Sequence, residues 1–257
     1  MPGMGVNRLK RFFAEHINDK EKITLLTGKE LHHLKDVLRL KKGDKVIVFD
    51  GKGREFIGSL KTVTRDEVCV AIEKQLDVSR ESRFRIILAQ GLSRAEKMNI
   101  IIQKATELGV SEIIPFTASR VVSRLNSEQA AKKIQRWQRI AIEAAKQCRR
   151  DVIPQIEEMA TLAEVLSKYS HSMEKYIKII PWEGENRNNL KDILKPEGFL
   201  GCIVLIGPEG GFEEREVALA EKAGFLPVTL GPRILRTETA AISIAAIIQY
   251  ELGDMGK

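Results

Sequence analysis

CIVLIGPEGGF (Cys202–Phe212) and LPVTLGPRILRTET (Leu226–Thr239) are the two stretches that decide the fold of this chain. In each, a short apolar run typical of a buried strand leads into a Gly-Pro loop and then into a helical pattern. The same alternation extends back to residue 84, with strand-like runs at 84–89, 111–116 and 176–180. Strands that alternate with helices predict an α/β fold with a parallel sheet covered by helices.

Residues 1–76 have a different pattern, which predicts a small β-rich domain. Strand-like runs at 45–50, 56–60 and 68–72 are short, and Asp50-Gly51 between the first two is a hairpin-turn signal. Several short strands joined by tight turns suggest a small barrel. The polar segment 77–83 has no periodicity, and we expect it to link this domain to a second domain over 84–257.

Charge is distributed unevenly along the 257 residues, whose net charge is +7. Residues 1–80 carry a net +5, residues 81–150 a net +8 and residues 151–257 a net −6. Clustered Lys and Arg side chains favour a phosphate backbone as partner, although solvated helix faces explain such charge equally well.

Cysteines and hydropathy restrict the class of protein further. Cys69, Cys148 and Cys202 lack the paired spacing of a zinc site, and their odd number argues against a disulfide framework. No apolar stretch approaches the roughly 20 residues of a membrane helix, and no signal core follows the N-terminus. We therefore expect a soluble, cytoplasmic protein without a membrane span.

The two Gly-Pro loops are the best candidates for a ligand site, because ligands of open α/β sheets bind at the carboxyl ends of strands. A tight turn followed by a helix cap would explain either loop alone. No Walker motif or G-x-G-x-x-G fingerprint is present, and Glu209 would repel a polyphosphate. A neutral or cationic adenosine-like ligand fits better. His32 and His33 are adjacent on a short predicted helix and so face different directions, and His16 and His171 are isolated; we therefore expect no metal site.

Several motifs together resemble the RsmE family of 16S ribosomal RNA methyltransferases. They are LIGPEGGF (Leu205–Phe212), LGPRILRTETA (Leu230–Ala240), HHLKDVLRLKKGD (His32–Asp44), KATELGV (Lys104–Val110) and EAAKQCRR (Glu143–Arg150). The resemblance implies methylation of uridine N3 in 16S ribosomal RNA with S-adenosylmethionine as cofactor. It also implies an N-terminal PUA-like β-barrel, a SPOUT-type domain with a C-terminal trefoil knot, and a homodimer.

The resemblance further implies which residues line the cofactor pocket. Those predicted to bind the cofactor are Pro181, Trp182, Gly207, Pro208, Glu209, Gly210, Gly211, Leu230, Gly231, Ile234, Leu235, Thr237 and Thr239. For Leu230, Ile234 and Leu235, simple core packing is the alternative interpretation.

Arg236 and Glu238 are the candidate catalytic residues, supported by the hydroxyl groups of Thr237 and Thr239. Uridine N3 carries a proton that must leave, which calls for a general base or a cation that stabilises the uridinate. Arg236 is always charged and suits the second role. Glu238 suits the first, although a salt bridge at the N-terminus of the last helix is nearly as good an explanation.

Phosphate contacts with 16S ribosomal RNA or the small subunit are expected from basic residues outside the cofactor loops. These are Arg8, Lys10, Arg11, Arg39, Lys41, Lys42, Arg120 and Arg124. The basic helix predicted over 127–149 is ambiguous, because its charges also suit a solvated face. Two other functions stay open: a SPOUT methyltransferase acting on transfer RNA or a ribose 2′-hydroxyl, and a non-enzymatic RNA-binding assembly factor.

Overall fold

A computed structural model of the chain describes residues 9–119, 126–170, 173–195 and 198–256. The chain divides into two compact units, Met1–Glu81 with Ala145–Ile153 and Ser82–Ala144 with Pro154–Lys257. The segment 145–153 therefore groups with the first unit, whereas sequence analysis assigned it to the domain 84–257.

The first unit contains a six-stranded sheet in the order β1-β4-β5-β6-β3-β2. Its strands are β1 (Arg11–Phe13), β2 (Ile17–Asn18), β3 (Ile23–Leu26), β4 (Lys45–Phe49), β5 (Glu55–Val63) and β6 (Val68–Leu76). All neighbours pair antiparallel except β1 and β4, which are parallel. Helix α1 (Gly28–His32) continues into a π-helical turn, His33–Val37. The predicted strands correspond to β4, β5 and β6, while β1 to β3 were not predicted.

The second unit contains a seven-stranded parallel sheet in the order β10-β8-β7-β12-β11-β13, with β9 beside β8. Its strands are β7 (Arg85–Gly91), β8 (Glu112–Thr117), β9 (Gln155–Ile156), β10 (Ala160–Thr161), β11 (Tyr176–Pro181), β12 (Gly201–Ile206) and β13 (Leu226–Val228). Every strand pair is parallel, which confirms the predicted α/β fold with a parallel sheet.

Helices of the second unit cover this sheet. They are α2 (Ala95–Glu107), α4 (Leu162–Ser170), α5 (Leu190–Ile193), α6 (Glu214–Lys222) and α7 (Thr237–Glu251). Helix α3 (Ser127–Cys148) begins in the second unit, and its residues from Ala145 onward group with the first. All six residues of the central strand β12 are buried, as expected for a strand covered on both faces. Ile203 and Leu205 of β12 pack with side chains of α4 and α6, while α7 packs on β7, β12 and α2.

Candidate functional site

Four strands of the second unit bring their carboxyl ends to one edge of the sheet. Because β7, β12, β11 and β13 are parallel neighbours, the chain leaves this edge after Gly91, Ile206, Pro181 and Val228. Both Gly-Pro loops and the N-terminus of α2 therefore start at this edge, where backbone N–H groups are available to a ligand.

Two adjoining cavities, of about 470 and 230 Å³, open at this edge. Both are lined by Pro181, Glu183, Ile234, Leu235 and Ala240, so they form one continuous cleft. The larger cavity is further lined by Trp182, Glu185, Asn186, Asn189, Thr229, Leu230, Gly231, Pro232 and Arg233. The smaller is further lined by Lys97, the loop 206–212, Arg236 and Thr237.

Glycines allow the backbone segments at this edge to approach closely. A Cβ atom on Gly91, the last residue of β7, would lie 2.5 Å from the backbone nitrogen of Pro208. Gly211 has a φ of +69°, which L side chains rarely adopt, and its N–H donates to the Pro208 carbonyl at 3.0 Å. The sequence GPEGGF thus forms a tight loop pressed against the end of β7.

Hydrogen bonds of the Thr237 hydroxyl connect the start of α7 to both β7 and the first Gly-Pro loop. The hydroxyl donates to the Gly207 carbonyl at 2.7 Å and accepts from Gln90 Nε2 at 3.0 Å. Gln90 Nε2 also donates to the Gly91 carbonyl at 2.9 Å. Thr237 and Gln90 are both buried, so these bonds hold three backbone segments in a water-poor environment.

A charged cluster of Lys97, Glu209 and Glu238 lies beside the smaller cavity; we call it the Lys97 cluster. Lys97 Nζ is 2.9 Å from Glu209 Oε1 and 3.4 Å from Glu238 Oε2. The Glu238 Oε2 atom is buried and, apart from Lys97, has no hydrogen-bond partner among the described residues. The hydrogen bond with Glu209 raises the pKa of Lys97, so the ammonium group persists at neutral pH.

The predicted cofactor residues lie around the cleft with one exception. Pro181, Trp182, Leu230, Gly231, Ile234 and Leu235 line the larger cavity, and Gly207, Pro208, Glu209, Gly210, Gly211 and Thr237 line the smaller. Thr239 is exposed and lines neither. Core packing is wrong as an explanation for Ile234, because its side chain is 85% exposed.

The two candidate catalytic residues lie next to this cleft in different environments. Arg236 lines the smaller cavity, is exposed, and forms no ion pair with another described residue. Glu238 is the second residue of α7 and is half-buried beside Lys97. The alternative interpretation of Glu238, a salt bridge at the N-terminus of the last helix, is therefore present in the structure and is compatible with a position at the cleft.

Sequence reasoning missed Lys97 and Glu183. The signal that could have found Lys97 is a helical pattern that starts soon after the strand-like run 84–89, because first-turn side chains there lie at the edge where ligands bind. In the structure, Arg94 is the N-cap of α2. Glu183 follows β11 by two residues and lines both cavities, yet its surrounding sequence gave no motif.

Arg11 has a structural role that differs from the predicted phosphate contact. Its guanidinium is buried and donates to Glu55 Oε1 at 2.6 Å, the Ala145 carbonyl at 3.0 Å and the Arg150 carbonyl at 2.7 Å. Arg80 NH1 contacts the second Glu55 oxygen at 3.1 Å. Burial lowers the pKa of Arg11. We call Arg11, Glu55 and Arg80 the buried ion network; all three nitrogens of the Arg11 guanidinium donate within the first unit.

The other predicted phosphate contacts differ in how well the structure describes them. Lys10, Arg39, Lys41 and Lys42 are exposed, and none forms an ion pair with a described residue. Arg8, Arg120 and Arg124 lie outside the described residues. In α3, Trp137 and Ala141 are buried, while Arg136 and Arg139 are exposed.

Membrane-spanning helices and clusters of metal ligands are absent from the described part of the chain. None of its helices has the length and apolar character needed to span a membrane. Within residues 9–119, 126–170, 173–195 and 198–256, no group of three or more His, Cys, Asp or Glu side chains could hold a metal ion.

Comparison with known proteins gives consistent results along the chain. A family model described as an RNA methyltransferase domain matches residues 80–249, and one described as an RNA methyltransferase PUA domain matches residues 26–73. The ribosomal RNA small subunit methyltransferase E of Bacillus subtilis is 33% identical over 88% of this chain and 89% of its own length. The protein of that name from Mesomycoplasma hyopneumoniae is 35% identical over 90% and 95%.

Two similar solved structures contain the cofactor S-adenosylmethionine. A methyltransferase of Legionella pneumophila in complex with this cofactor is 34% identical, with a TM-score of 0.88, over 96% of this chain and all of its own. A ribosomal RNA small subunit methyltransferase E of Neisseria gonorrhoeae bound to S-adenosylmethionine is 33% identical, with a TM-score of 0.86, over the same shares.

Proposed function

We propose a reaction for this chain from the premise that it belongs to the RNA methyltransferase family, and within it to the ribosomal RNA small subunit methyltransferases E. The chain transfers a methyl group from S-adenosylmethionine to N3 of a uridine in 16S ribosomal RNA. The observation that carries this proposal is the cleft between the two Gly-Pro loops, in a chain similar over 96% of its length to structures with bound S-adenosylmethionine.

The residues of the cleft fit this cofactor chemically. Trp182, Leu230 and Ile234 offer apolar surface to an adenine ring, while the glycine loops offer backbone donors and acceptors. The Glu183 carboxylate lines both cavities and forms no ion pair with a described residue, so it is available to a cationic ligand. When bound, S-adenosylmethionine supplies a methyl group on a positively charged sulfur, which needs no metal.

Arg236 and Glu238 act on the uridine. The bond from N3 to the methyl carbon forms as the sulfur–carbon bond breaks, and the N3 proton moves to a Glu238 carboxylate oxygen. Arg236, exposed at the smaller cavity, stabilises the negative charge that develops on the base. The Oε2 atom of Glu238 is buried and has no partner among the described residues except Lys97, which supports its assignment as the proton acceptor.

RNA is held by exposed cations, for which phosphates are the chemical partner. Lys10, Arg39, Lys41 and Lys42 are exposed and free of ion pairs with described residues, which supports this role in the first unit. We also propose Arg8, Arg120 and Arg124 as phosphate contacts; these residues lie outside the described part of the chain, so only the sequence supports them. Arg11 is removed from it, because the donors of its guanidinium bind Glu55 and two carbonyls.

The proposal includes a homodimer, whose contact face we assign to α2 and α7. These helices pack on each other and leave Ile100, Ile247 and Tyr250 exposed, with exposed fractions of 40–64%. Contiguous apolar side chains on a monomer surface are typical of protein interfaces. Size-exclusion chromatography with light scattering tests this assignment, because Ile247→Asp and Tyr250→Asp should yield monomers.

The architecture of the family supplies two further parts of the proposal. We propose a trefoil knot in the C-terminal segment, supported by the path of the chain. After β13 at the sheet edge, the chain returns through residues 229–236 to α7, which packs on the central strands β7 and β12. The six-stranded sheet of the first unit is proposed to be the PUA-like barrel. A cytoplasmic location follows from ribosomal RNA as the substrate.

Nucleoside mass spectrometry tests the proposed reaction. Purified protein is incubated with S-adenosylmethionine and unmethylated 16S RNA or small subunits, and 3-methyluridine is quantified. The wild type should form it, and Arg236→Ala should reduce the rate about 100-fold because a charge-stabilising group is lost. A methylated ribose, or methylation of transfer RNA alone, would indicate a different SPOUT methyltransferase. Absence of cofactor binding in calorimetry would indicate a non-enzymatic assembly factor.

A further inference from the structure

Lys97 is the one side chain among the described residues that contacts both Glu209 and Glu238. These carboxylates come from different segments, the loop between β12 and α6 and the start of α7. Lys97 itself belongs to the first turn of a third element, α2. The three side chains are only 19–28% exposed, so water screens their interaction less than that of surface pairs.

The neighbouring charges cannot replace Lys97. Arg94 Nε is 3.7 Å from Glu209 Oε2, but its side chain is 87% exposed, and such pairs contribute little. Arg236, before α7, and Glu183, after β11, line the same smaller cavity. Without Lys97, the carboxylates of Glu209 and Glu238 would have no half-buried cation beside them, and like charges repel.

We propose that Lys97 is a positioning residue of the methyl transfer. One contact, with Glu209, holds the loop between β12 and α6, which we call the cofactor loop. The other contact holds the proton-accepting carboxylate of Glu238, so that both segments keep their places at the cleft. The inference rests on the proposed function and adds a residue to it. The raised pKa of Lys97 is consistent with this role, because the ammonium group must stay charged to hold two carboxylates.

Each contact of Lys97 has its own measurement. Lys97→Met removes the cation but keeps an unbranched side chain. Loss of the Glu238 contact leaves the proton-accepting carboxylate without its fixed neighbour, so kcat at saturating cofactor should fall about tenfold while the KM for RNA stays within about twofold. Loss of the Glu209 contact should weaken S-adenosylmethionine binding about three- to fivefold in calorimetry. Lys97→Arg keeps the charge and should stay within about twofold of the wild type in both measurements.

Lys168 offers a matched control at the amino-terminal ends of the strands, opposite the cleft. It also lies between two carboxylates, with Nζ 3.1 Å from Glu112 Oε1 and 3.8 Å from Glu157 Oε1. Glu112 is the first residue of β8, so this cluster is at the amino end of the strands. Lys168→Met therefore removes a similar bridge and should change neither kcat nor cofactor affinity.

The outcomes separate this inference from the proposed function. An unchanged kcat in Lys97→Met overturns the role of the contact with Glu238, and unchanged cofactor affinity overturns the role of the contact with Glu209; either result ends the bridging role. Equal effects in Lys168→Met would show a general loss of stability instead. If the wild type binds S-adenosylmethionine but methylates no uridine, the proposed function fails, while the affinities of the two Lys97 variants still decide whether this lysine supports the cofactor loop.

Discussion

The buried ion network of the first unit and the Lys97 cluster of the second are built from the same kinds of residues but differ in how completely their atoms are paired. In the first unit, Glu55 is 2% exposed and both of its oxygens accept from arginines. In the second, the Oε2 atom of Glu238 is buried with only the Lys97 contact, and Arg236 nearby has no ion pair with a described residue.

This difference indicates different uses of charge. A fully paired buried network holds backbone segments together, as Arg11 does through the carbonyls of Ala145 and Arg150. Both oxygens of its carboxylate, Glu55, already accept from arginines, and its side chain is 2% exposed, so it is not available to a substrate. A partly paired cluster at a cleft keeps atoms available for a ligand and is less important for stability. Equivalent substitutions in the two places should therefore affect different properties.

The largest effects are expected from replacing a glutamate by glutamine in each of the two charged clusters. Glu55→Gln leaves Arg11 and Arg80 without their buried counter-charge and should lower the free energy of unfolding by about 3 kcal/mol. Glu238→Gln should change it by less than about 1 kcal/mol, while methyl transfer falls roughly 100-fold because the proton acceptor is lost. Urea unfolding followed by circular dichroism and the nucleoside assay measure the two quantities. Similar losses of stability in both variants would remove the distinction.

A smaller effect is expected where packing alone shapes the cleft. In Gly91→Ala, the new Cβ would lie 2.5 Å from the Pro208 nitrogen and 2.9 Å from the Gly207 carbonyl carbon, so the cofactor loop must move. We expect the Kd for S-adenosylmethionine to rise at least about tenfold, which corresponds to roughly 1.4 kcal/mol. Calorimetry measures this change.

Gly224→Ala is the matched control for this substitution. Gly224 has a φ of +87°, and a Cβ atom added there would have no neighbouring atom within 4 Å, so alanine adds backbone strain without moving the loop. It should reduce stability and leave cofactor affinity unchanged. Tight binding by Gly91→Ala would show that the close approach of β7 and the loop is not needed for the cleft.

The sequence predicted the cleft more completely than it predicted the charged clusters. The Gly-Pro loops follow strands directly, so local pattern and the strand-end rule suffice to bring them to one edge. Lys97 appears in sequence as one more helical lysine, because its partners are more than 100 residues away. Arg11 likewise appears as a free N-terminal cation, since its partner Glu55 is 44 residues distant and neither motif nor periodicity connects them.

The smallest effect is expected within the first unit, from cations that are not part of its buried ion network. Lys41 and Lys42 are exposed and have no ion pair with a described residue, in contrast to Arg11. If they bind phosphates, the double variant Lys41→Gln/Lys42→Gln should reduce the slope of log affinity against log salt by up to about two, since each phosphate contact contributes roughly one. The free energy of unfolding should be unchanged, because exposed unpaired lysines add little stability.

Filter binding to 16S RNA at several salt concentrations measures the slope. An unchanged slope would show that exposure and a missing partner do not identify an RNA contact here, and the distinction between paired and available charge would then hold only for the cleft.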